Sequence, residues 1–410
     1  MTSRIVPFTT ASQRGSARVY DLAVVGDGIV GMTAALTAAQ GGLRVALIAA
    51  AHSEAKPTPA WEPWDRRVYA LSPGSRSFLE KLRVWSQLEA DRIAPIREMR
   101  VFGDVRGAEV RFSAYEAGTE ALAWIVESRE LERVLKTALA YQQNIERVEA
   151  DAEDFQVDGQ GVSVTTARGA LRALLLVAAD GARSRIRELA GINGEMRSYE
   201  QVAVVANFSG GRPPGDIARQ WFVREGVVAL LPLPHLGLSL VWSAPSRIAA
   251  SLLEQEPIDL ARRVEAVTGG EVGPLQPLGG ASGFPLRVLR TRRQSGPRVV
   301  LIGDAAHVVH PLAGQGLNLG LQDAESLVDI LIARESFRDC GDALLLRRYE
   351  RARSEAVWAM RSMTHGLHHL FTSADPNLER LRSTGMKLVE RLPVLKRALV
   401  RSAMGRSTSV

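Results

Sequence analysis

Three short stretches of the 410-residue chain set glycines and acids where a phosphorylated, hydroxyl-bearing ligand could be held. In the first, Gly26-Asp27-Gly28-Ile29-Val30-Gly31 follows the apolar run Tyr20 to Val25. Gly26 lets a strand turn sharply, Gly28 lets backbone approach a pyrophosphate, and Gly31 lets the next helix lie close to a sheet with its amino end toward the phosphates. In the second, Asp180-Gly181-Ala182-Arg183-Ser184 ends the apolar run Ala173 to Ala179, so Asp180 sits at a strand carboxyl end. In the third, the strand Arg298 to Ile302 runs into Gly303-Asp304-Ala305-Ala306-His307, and then through His310-Pro311-Leu312-Ala313-Gly314 to Gln315-Gly316-Leu317-Asn318. Asp304 can accept bonds from sugar hydroxyls, and a helix opening after Gly314 offers unpaired N–H groups and positive potential, suited to negative charge on a reduced ring.

Competing chemistries fail on residue type. His307 and His310 are three apart, but no carboxylate or third histidine stands at a metal-site spacing, so no metal is expected. A serine hydrolase needs a Gly-x-Ser-x-Gly elbow, and the chain has none. Cys340 is the only cysteine, which excludes an intramolecular disulfide and a thiolate metal cluster and suits a reducing compartment. The most apolar run, Ala170 to Ala179, is interrupted by Arg172, so no membrane-spanning helix is expected. Hydrophobic residues make up 46% and charged residues 23%, a globular balance, and the net charge of +6 favours an anionic partner.

The elements that must position these residues are legible in outline. Met32 to Gln40 reads as a small-residue helix and Arg44 to Ala51 as a second strand, which gives the strand-turn-helix-strand order of a βαβ unit. The acid expected to grip an adenosine ribose at the end of that second strand is replaced by Ala49-Ala50-Ala51-His52, leaving Ser53, Glu54 or backbone as substitutes. Phe78, Leu79, Leu82 and Trp85 recur at helical spacing as core. Arg129 starts a helix whose apolar positions are Leu131, Val134, Leu135, Ala138 and Leu139; it could serve a phosphate or simply be solvated. From Val202 to Leu289 the texture changes to short alternating strands divided by Gly and Pro turns, an antiparallel sheet set into the α/β framework.

Taken together, the glycine turn at Gly26, the Asp180-Gly181 strand end and the Gly303-Asp304 loop resemble the three fingerprints of single-component FAD-dependent aromatic hydroxylases with the para-hydroxybenzoate hydroxylase fold. Within that class, Asp65-x-Arg67 before Ala70-Leu71, Ile125-Val126-Glu127, Ala229 to Leu233, Val241-Trp242-Ser243 and the run Gly303 to Asn318 are similar to the ubiquinone-biosynthesis hydroxylases of the UbiH type. Tyr349 to Arg353, Met363 to Phe371 and Leu392 to Lys396 extend the likeness, which covers roughly residues 20 to 405. Ala49 and Val308 depart from it, standing where the family has an acid and a threonine.

The resemblance implies an α/β fold: a Rossmann-like FAD-binding domain, an inserted antiparallel β-sheet substrate domain and a C-terminal helical segment. The expected divisions are a flexible start at 1–18, the FAD-binding domain at 19–195 and 291–345 with some substrate-domain strands in its first part, the substrate sheet at 196–290, and a basic helical segment at 346–410. By matching position, Gly26, Gly28 and Gly31 would hold the FAD pyrophosphate, Arg67 and Arg129 would neutralise or orient it, and Gly303 and Asp304 would bind the ribityl chain. Asp180 is implied in flavin and NAD(P)H engagement. Gly314, Gln315, Gly316, Leu317 and Asn318 would line the flavin ring through backbone, with Pro311 beside the reacting face.

The implied reaction inserts one atom of O2 into the ring of a polyprenylated phenol in ubiquinone biosynthesis, using NAD(P)H and a C4a-hydroperoxyflavin. A hydroxylase of a soluble phenol or secondary metabolite, and a non-catalytic flavin-binding assembly subunit, are the alternatives. No catalytic side chain is firmly assigned; Pro311 and His307 are candidates, and His307 could equally be a hydrogen-bonded loop histidine. Gln220, Phe222, Leu230, Pro232, Trp242 and Phe284 are candidates for the substrate pocket, and each could equally be core. From Pro376 onward, eight basic residues against Glu379 and Glu390 make a basic amphipathic segment, either packed on the body or contacting anionic lipid or a ubiquinone-biosynthesis protein complex. Nucleic acid is not expected, because aromatics are not interleaved with the basic run. The expected location is cytoplasmic at the inner face of the membrane, or the mitochondrial matrix.

Overall fold

The computed structural model describes residues 19–50, 64–103, 109–309 and 315–372. Largely apolar segments, with the mixed edge strand Ile145–Glu149, form five neighbouring parallel strands in the order Val299–Leu301, Gly169–Ala178, Val19–Val25, Val45–Ala49 and Ile145–Glu149. Val25 stands opposite Ala178, and Ala178 opposite Leu301. Backbone bonds carry the ladder to the sheet edge: the Gly26 N–H donates to the Ile48 carbonyl at 2.8 Å, Ala179 to Val25 at 2.8 Å and Ile302 to Ala178 at 3.0 Å. The Gly26, Asp180 and Gly303 loops therefore leave three adjacent strands at one level, the carboxyl edge where open α/β sheets bind ligands.

Parallel strands need both faces covered. On one face the helix Ile29–Gln40 is almost entirely buried beside the helices Ser128–Ala140 and Gln315–Ile332, and it shares a core with Leu22, Leu47, Leu135, Leu175 and Leu327. The other face, with Val25, Ile48 and Leu176, is covered by the antiparallel strands Ala152–Val157 and Val162–Thr166 and by Ile186. The first helix starts at Ile29, ahead of the expected Met32, because Gly28 is its extended cap with φ −67° and ψ 171°.

The second sheet is larger than the alternating segment suggests. Its order is His307–Val308, Ser282–Thr291, Gly194–Gly210, Gly237–Pro245, Gly226–Pro232, Ile217–Val223, Glu98–Phe102 and Glu109–Ser113, so two strands come from well before residue 195. One face, carrying Val204, Phe208, Trp221, Val228, Leu240 and Trp242, is sealed by the helices Ser246–Leu253 and Pro257–Val267. Alternation puts Ala203, Val205, Asn207, Ala218, Gln220, Phe222, Ala229 and Val241 on the opposite face. That face turns toward the first domain. Asn207 donates through Nδ2 to the Asp65 carbonyl at 3.0 Å, Arg66 donates to Ser282 Oγ at 2.7 Å, and Ala218 packs with Trp64 and Ile125. Among the described residues no helix is long and apolar enough to cross a membrane.

The sharpest steric demand is at Gly31, whose Cβ, if present, would collide with the Gly26 carbonyl oxygen and come within 3.1 Å of Ala179 Cβ. Gly31→Ala should lower the stability of the cofactor-free protein by about 1–3 kcal/mol through overpacking. Gly28→Ala, with nothing within 4 Å of its Cβ, should stay near wild type. Denaturant unfolding midpoints of the two variants test this, and equal midpoints would refute it.

Candidate functional site

At the carboxyl edge the chain builds a cradle from backbone. Gly26 adopts φ +107°, and a Cβ there would lie within 2.6 Å of the Ala179 carbonyl carbon, so the turn tolerates no side chain. The amino end of the helix Ile29–Gln40 has no side-chain cap and no acid in its first turn, and the space over Gly28 is open. Uncapped N–H groups, positive helix potential and room at a Cβ-free position are what a pyrophosphate requires.

Beside that helix, Gly303 adopts φ +59° and carries Asp304 in a short turn. The Asp304 carboxyl reaches open space but is ringed by protein on its other sides. The resulting desolvation pushes its pKa above the ordinary aspartate value, against the opposing charges of His307 and Arg67. Val30 ties the elements together: Cβ atoms added at Gly303 and Gly320 would come within 3.2 and 2.6 Å of its methyl groups. The helix Gln315–Ile332 therefore packs directly on the start of the phosphate-side helix.

Arg67 and Arg129, 62 residues apart in sequence, meet through Asp65. Its carboxylate accepts the Arg67 N–H at 3.0 Å and the Arg129 N–H at 3.0 Å. Arg67 is exposed and stacks over Tyr69 at 5.4 Å, while Arg129 is 3.8 Å from Glu127. Glu127, nearly fully buried, is gripped by Arg92 at 2.7 and 2.9 Å and accepts the Asp65 N–H, which makes the arginine-bearing loops rigid. Asp180 is held by the Ile186 N–H at 3.2 Å through one oxygen, and its other oxygen is buried without a hydrogen-bond partner among the described residues. That orphan acceptor beside the Gly26 turn suits a donor on a bound ligand.

Other expected residues are placed elsewhere. The His307 ring is buried and bonds Asp323 at 2.7 Å, so it belongs to the interior rather than to the cleft. Asn318 is expected to contribute backbone, and its side chain is engaged in packing: Oδ1 accepts from the Ser72 N–H at 2.8 Å and Ser75 Oγ at 2.7 Å, and Nδ2 donates to Ala70 at 2.8 Å. Gly316 faces open space, and Leu317 packs partly buried against the first core. Pro311 and Gly314 lie outside the described residues, as do His52, Ser53, Glu54 and the segment from Pro376 onward; Gln315 is described only as backbone.

The six pocket candidates divide by strand alternation. Gln220, Phe222 and Phe284 lie on the face turned toward the Asp65 loop. Leu230 and Trp242 belong to the core under the two covering helices, with Trp242 at 0% exposure, and Pro232 shares their register. For these three the pocket expectation is corrected: a one-residue step along a strand reverses the face. Sequence reasoning gave no role to Asp65 and Arg353, which it named only within the resembling stretches, and did not single out Gly320 or Asp323. Asp323 had a signal, being four residues after Leu319 and four before Leu327 on the apolar side of its helix.

The open, uncapped helix end at Gly28 and the exposed Asp304 carboxyl at the same sheet edge thus suit a ligand that carries phosphate and hydroxyl groups. Comparison with known proteins agrees. A family model described as an FAD binding domain matches residues 19–364. The 3-demethoxyubiquinol 3-hydroxylase of Escherichia coli is 33% identical over 94% of this chain and 98% of its own length. The ubiquinone hydroxylase UbiL of Rhodospirillum rubrum is 33% identical over 97% of this chain and 93% of its own. The crystal structure of p-nitrophenol 4-monooxygenase from Pseudomonas putida superposes with a TM-score of 0.75 at 18% identity, over 95% of this chain and 99% of that one.

Asp304→Asn should weaken FAD binding about 10- to 100-fold, the loss of a hydrogen bond to a charged group. The same change should stabilise the cofactor-free protein at neutral pH. A carboxyl whose folded pKa is raised disfavours folding once it ionises, and that penalty disappears as pH falls through the raised value. Flavin fluorescence titration and unfolding of the apoprotein at pH 7 and pH 4 read both effects; unchanged FAD affinity would sink the assignment.

Proposed function

The chain belongs to the FAD-dependent aromatic-ring monooxygenases, and from that premise we propose that it hydroxylates the ring of a polyprenylated phenol on the route to ubiquinone, with NAD(P)H as reductant. The observation that carries this reading is the similarity to ubiquinone hydroxylases along nearly the whole chain. The inner face of the second sheet suits such a substrate. Ala203, Val205, Ala229, Val241 and Phe222 form an apolar wall with Gln220 among them, the mix that positions a ring and leaves few groups to solvate water.

When bound, the flavin supplies the activated oxygen that no amino-acid side chain can provide. The chain's own residues bind, orient and exclude. The helix end over Gly28, with Arg67 and Arg129, balances the pyrophosphate charge, and Asp304 fixes the ribityl hydroxyls. The apolar wall keeps water from the reacting centre and holds the ring carbon in line. The basic segment after Pro376 then serves location, contacting anionic lipid where a prenylated substrate is dissolved.

Two measurements test this. A deletion strain should lose ubiquinone and accumulate a prenylated phenol; an intact quinone profile would favour a soluble phenol or secondary metabolite as substrate. In the purified enzyme, Phe222→Ala should still consume reduced nicotinamide while a larger share of oxygen leaves as hydrogen peroxide. Trp242→Ala should instead cost about 3–5 kcal/mol of stability as a core truncation and keep wild-type product yield per nicotinamide. Equal yields from wild type and Phe222→Ala would remove Phe222 from the pocket.

A further inference from the structure

A buried charged cluster lies behind the Asp304 loop, outside the cleft. Asp323, at 0% exposure in the helix Gln315–Ile332, uses both oxygens: Oδ2 accepts the Gly303 N–H at 2.9 Å and meets His307 Nε2 at 2.7 Å, and Oδ1 accepts Arg353 Nε at 2.7 Å. Arg353 projects from the C-terminal helix Ala343–Thr372 and donates further to the Leu319 carbonyl and to Gln322 Oε1, each at 3.3 Å. One turn earlier on that helix, the Tyr349 hydroxyl donates to the Leu301 carbonyl at 3.1 Å. The C-terminal helix therefore grips the strand at Leu301 directly, and at Gly303 through Asp323.

The cluster sets a guanidinium and an imidazole against one carboxylate. Burial alone would raise Asp323, but the charges of His307 and Arg353 hold it below the ordinary aspartate value. Burial likewise opposes a charged His307, which Asp323 nevertheless keeps above the ordinary histidine value. Among the described residues, the backbone group that the Asp323 side chain holds is the Gly303 N–H, just before Asp304. Gly303 has no side chain to anchor it and sits in the left-handed region; bonds from Ala306, Arg187 and Thr291 hold the far side of the turn, and its N–H is the handle on the near side.

We propose that Asp323, His307 and Arg353 are positioning residues for the cofactor, which fix the Ile302–Gly303 peptide and with it the turn that presents Asp304 to the FAD ribityl chain, and so make flavin affinity depend on the helix Ala343–Thr372. None of the three touches the cleft; each acts through Asp304. Loss of either partner leaves the carboxylate free to turn toward the other, and the Gly303 N–H loses a fixed acceptor.

The test is FAD affinity of the full-length apoprotein, read by flavin fluorescence titration and by the visible spectrum of the bound flavin. Arg353→Gln and His307→Gln should each weaken binding by about fivefold or more, the low end of coupling between distinct sites. Arg353→Lys, which keeps the charge, should recover part of the loss. Because the effect runs through Asp304, Arg353→Gln combined with Asp304→Asn should bind no more weakly than Asp304→Asn alone, whereas a purely structural defect would add. Dissociation constants within twofold of wild type in both single variants, or full additivity in the double variant, would overturn the proposal. If Arg353→Gln does not fold, His307→Gln and Arg353→Lys decide it by the same criteria. A wild type that takes up no FAD would overturn the flavin reading and this one together; a wild type that binds beside variants that bind equally would overturn this one alone.

Discussion

The site exists because backbone meets backbone where a Cβ would forbid it. Gly31 lets the first helix descend onto the Gly26 carbonyl, and Gly26 in turn passes against Ala179 and Asp180 of the neighbouring strand. That contact fixes where the helix amino end stands relative to the carboxyl edge of the sheet, and the phosphate cradle is that position. The same close approach recurs on the other side of the helix, where Val30 fits between Gly303 and Gly320. The helix is thus clasped between two loops that come from different strands, and the Asp304 turn inherits its place from the clasp.

Two buried or half-enclosed aspartates close to that clasp show opposite electrostatic solutions. Asp323 is fully enclosed and fully answered, by His307, Arg353 and the Gly303 N–H, so its ionised form is favoured. Asp304 is open to the cleft and incompletely answered, so its ionised form is disfavoured in the apoprotein. The difference lies in the neighbours: Asp323 has two side chains and an N–H in bonding contact, whereas Asp304 is exposed and feels His307 and Arg67 only through their charge.

What was legible in the sequence follows from range. Gly26, Asp180 and Gly303 each sit within a few residues of the strand that presents them, so local pattern sufficed to find the loops; their adjacency needed only the parallel order of a βαβ framework. The sheet faces were not legible. Leu238 to Trp242 and Val227 to Leu231 have large apolar residues at adjacent positions, because the sheet is covered on one side by helices and on the other by the first domain. With both faces apolar, period-2 alternation carries no sign, and Trp242 could not be told from a cleft residue. His307 carried two readings, cleft candidate and hydrogen-bonded loop histidine, and only its partner Asp323, sixteen residues on, decides for the second.

The turn that carries Asp304 is short and contains a glycine at positive φ; its C-terminal side is held by the burial of Ala305 and by bonds from Arg187 and Thr291 to the Ala305 and Ala306 carbonyls, and its N-terminal side by Asp323. Hydrophobic packing orients such a turn weakly, because burial is non-directional and scales with area. Hydrogen bonds to a buried charge are directional, and the low dielectric around Asp323 strengthens them. Placing that charge on the helix that follows the turn, and anchoring it with Arg353 from the next helix, gives a short loop the rigidity of two long ones.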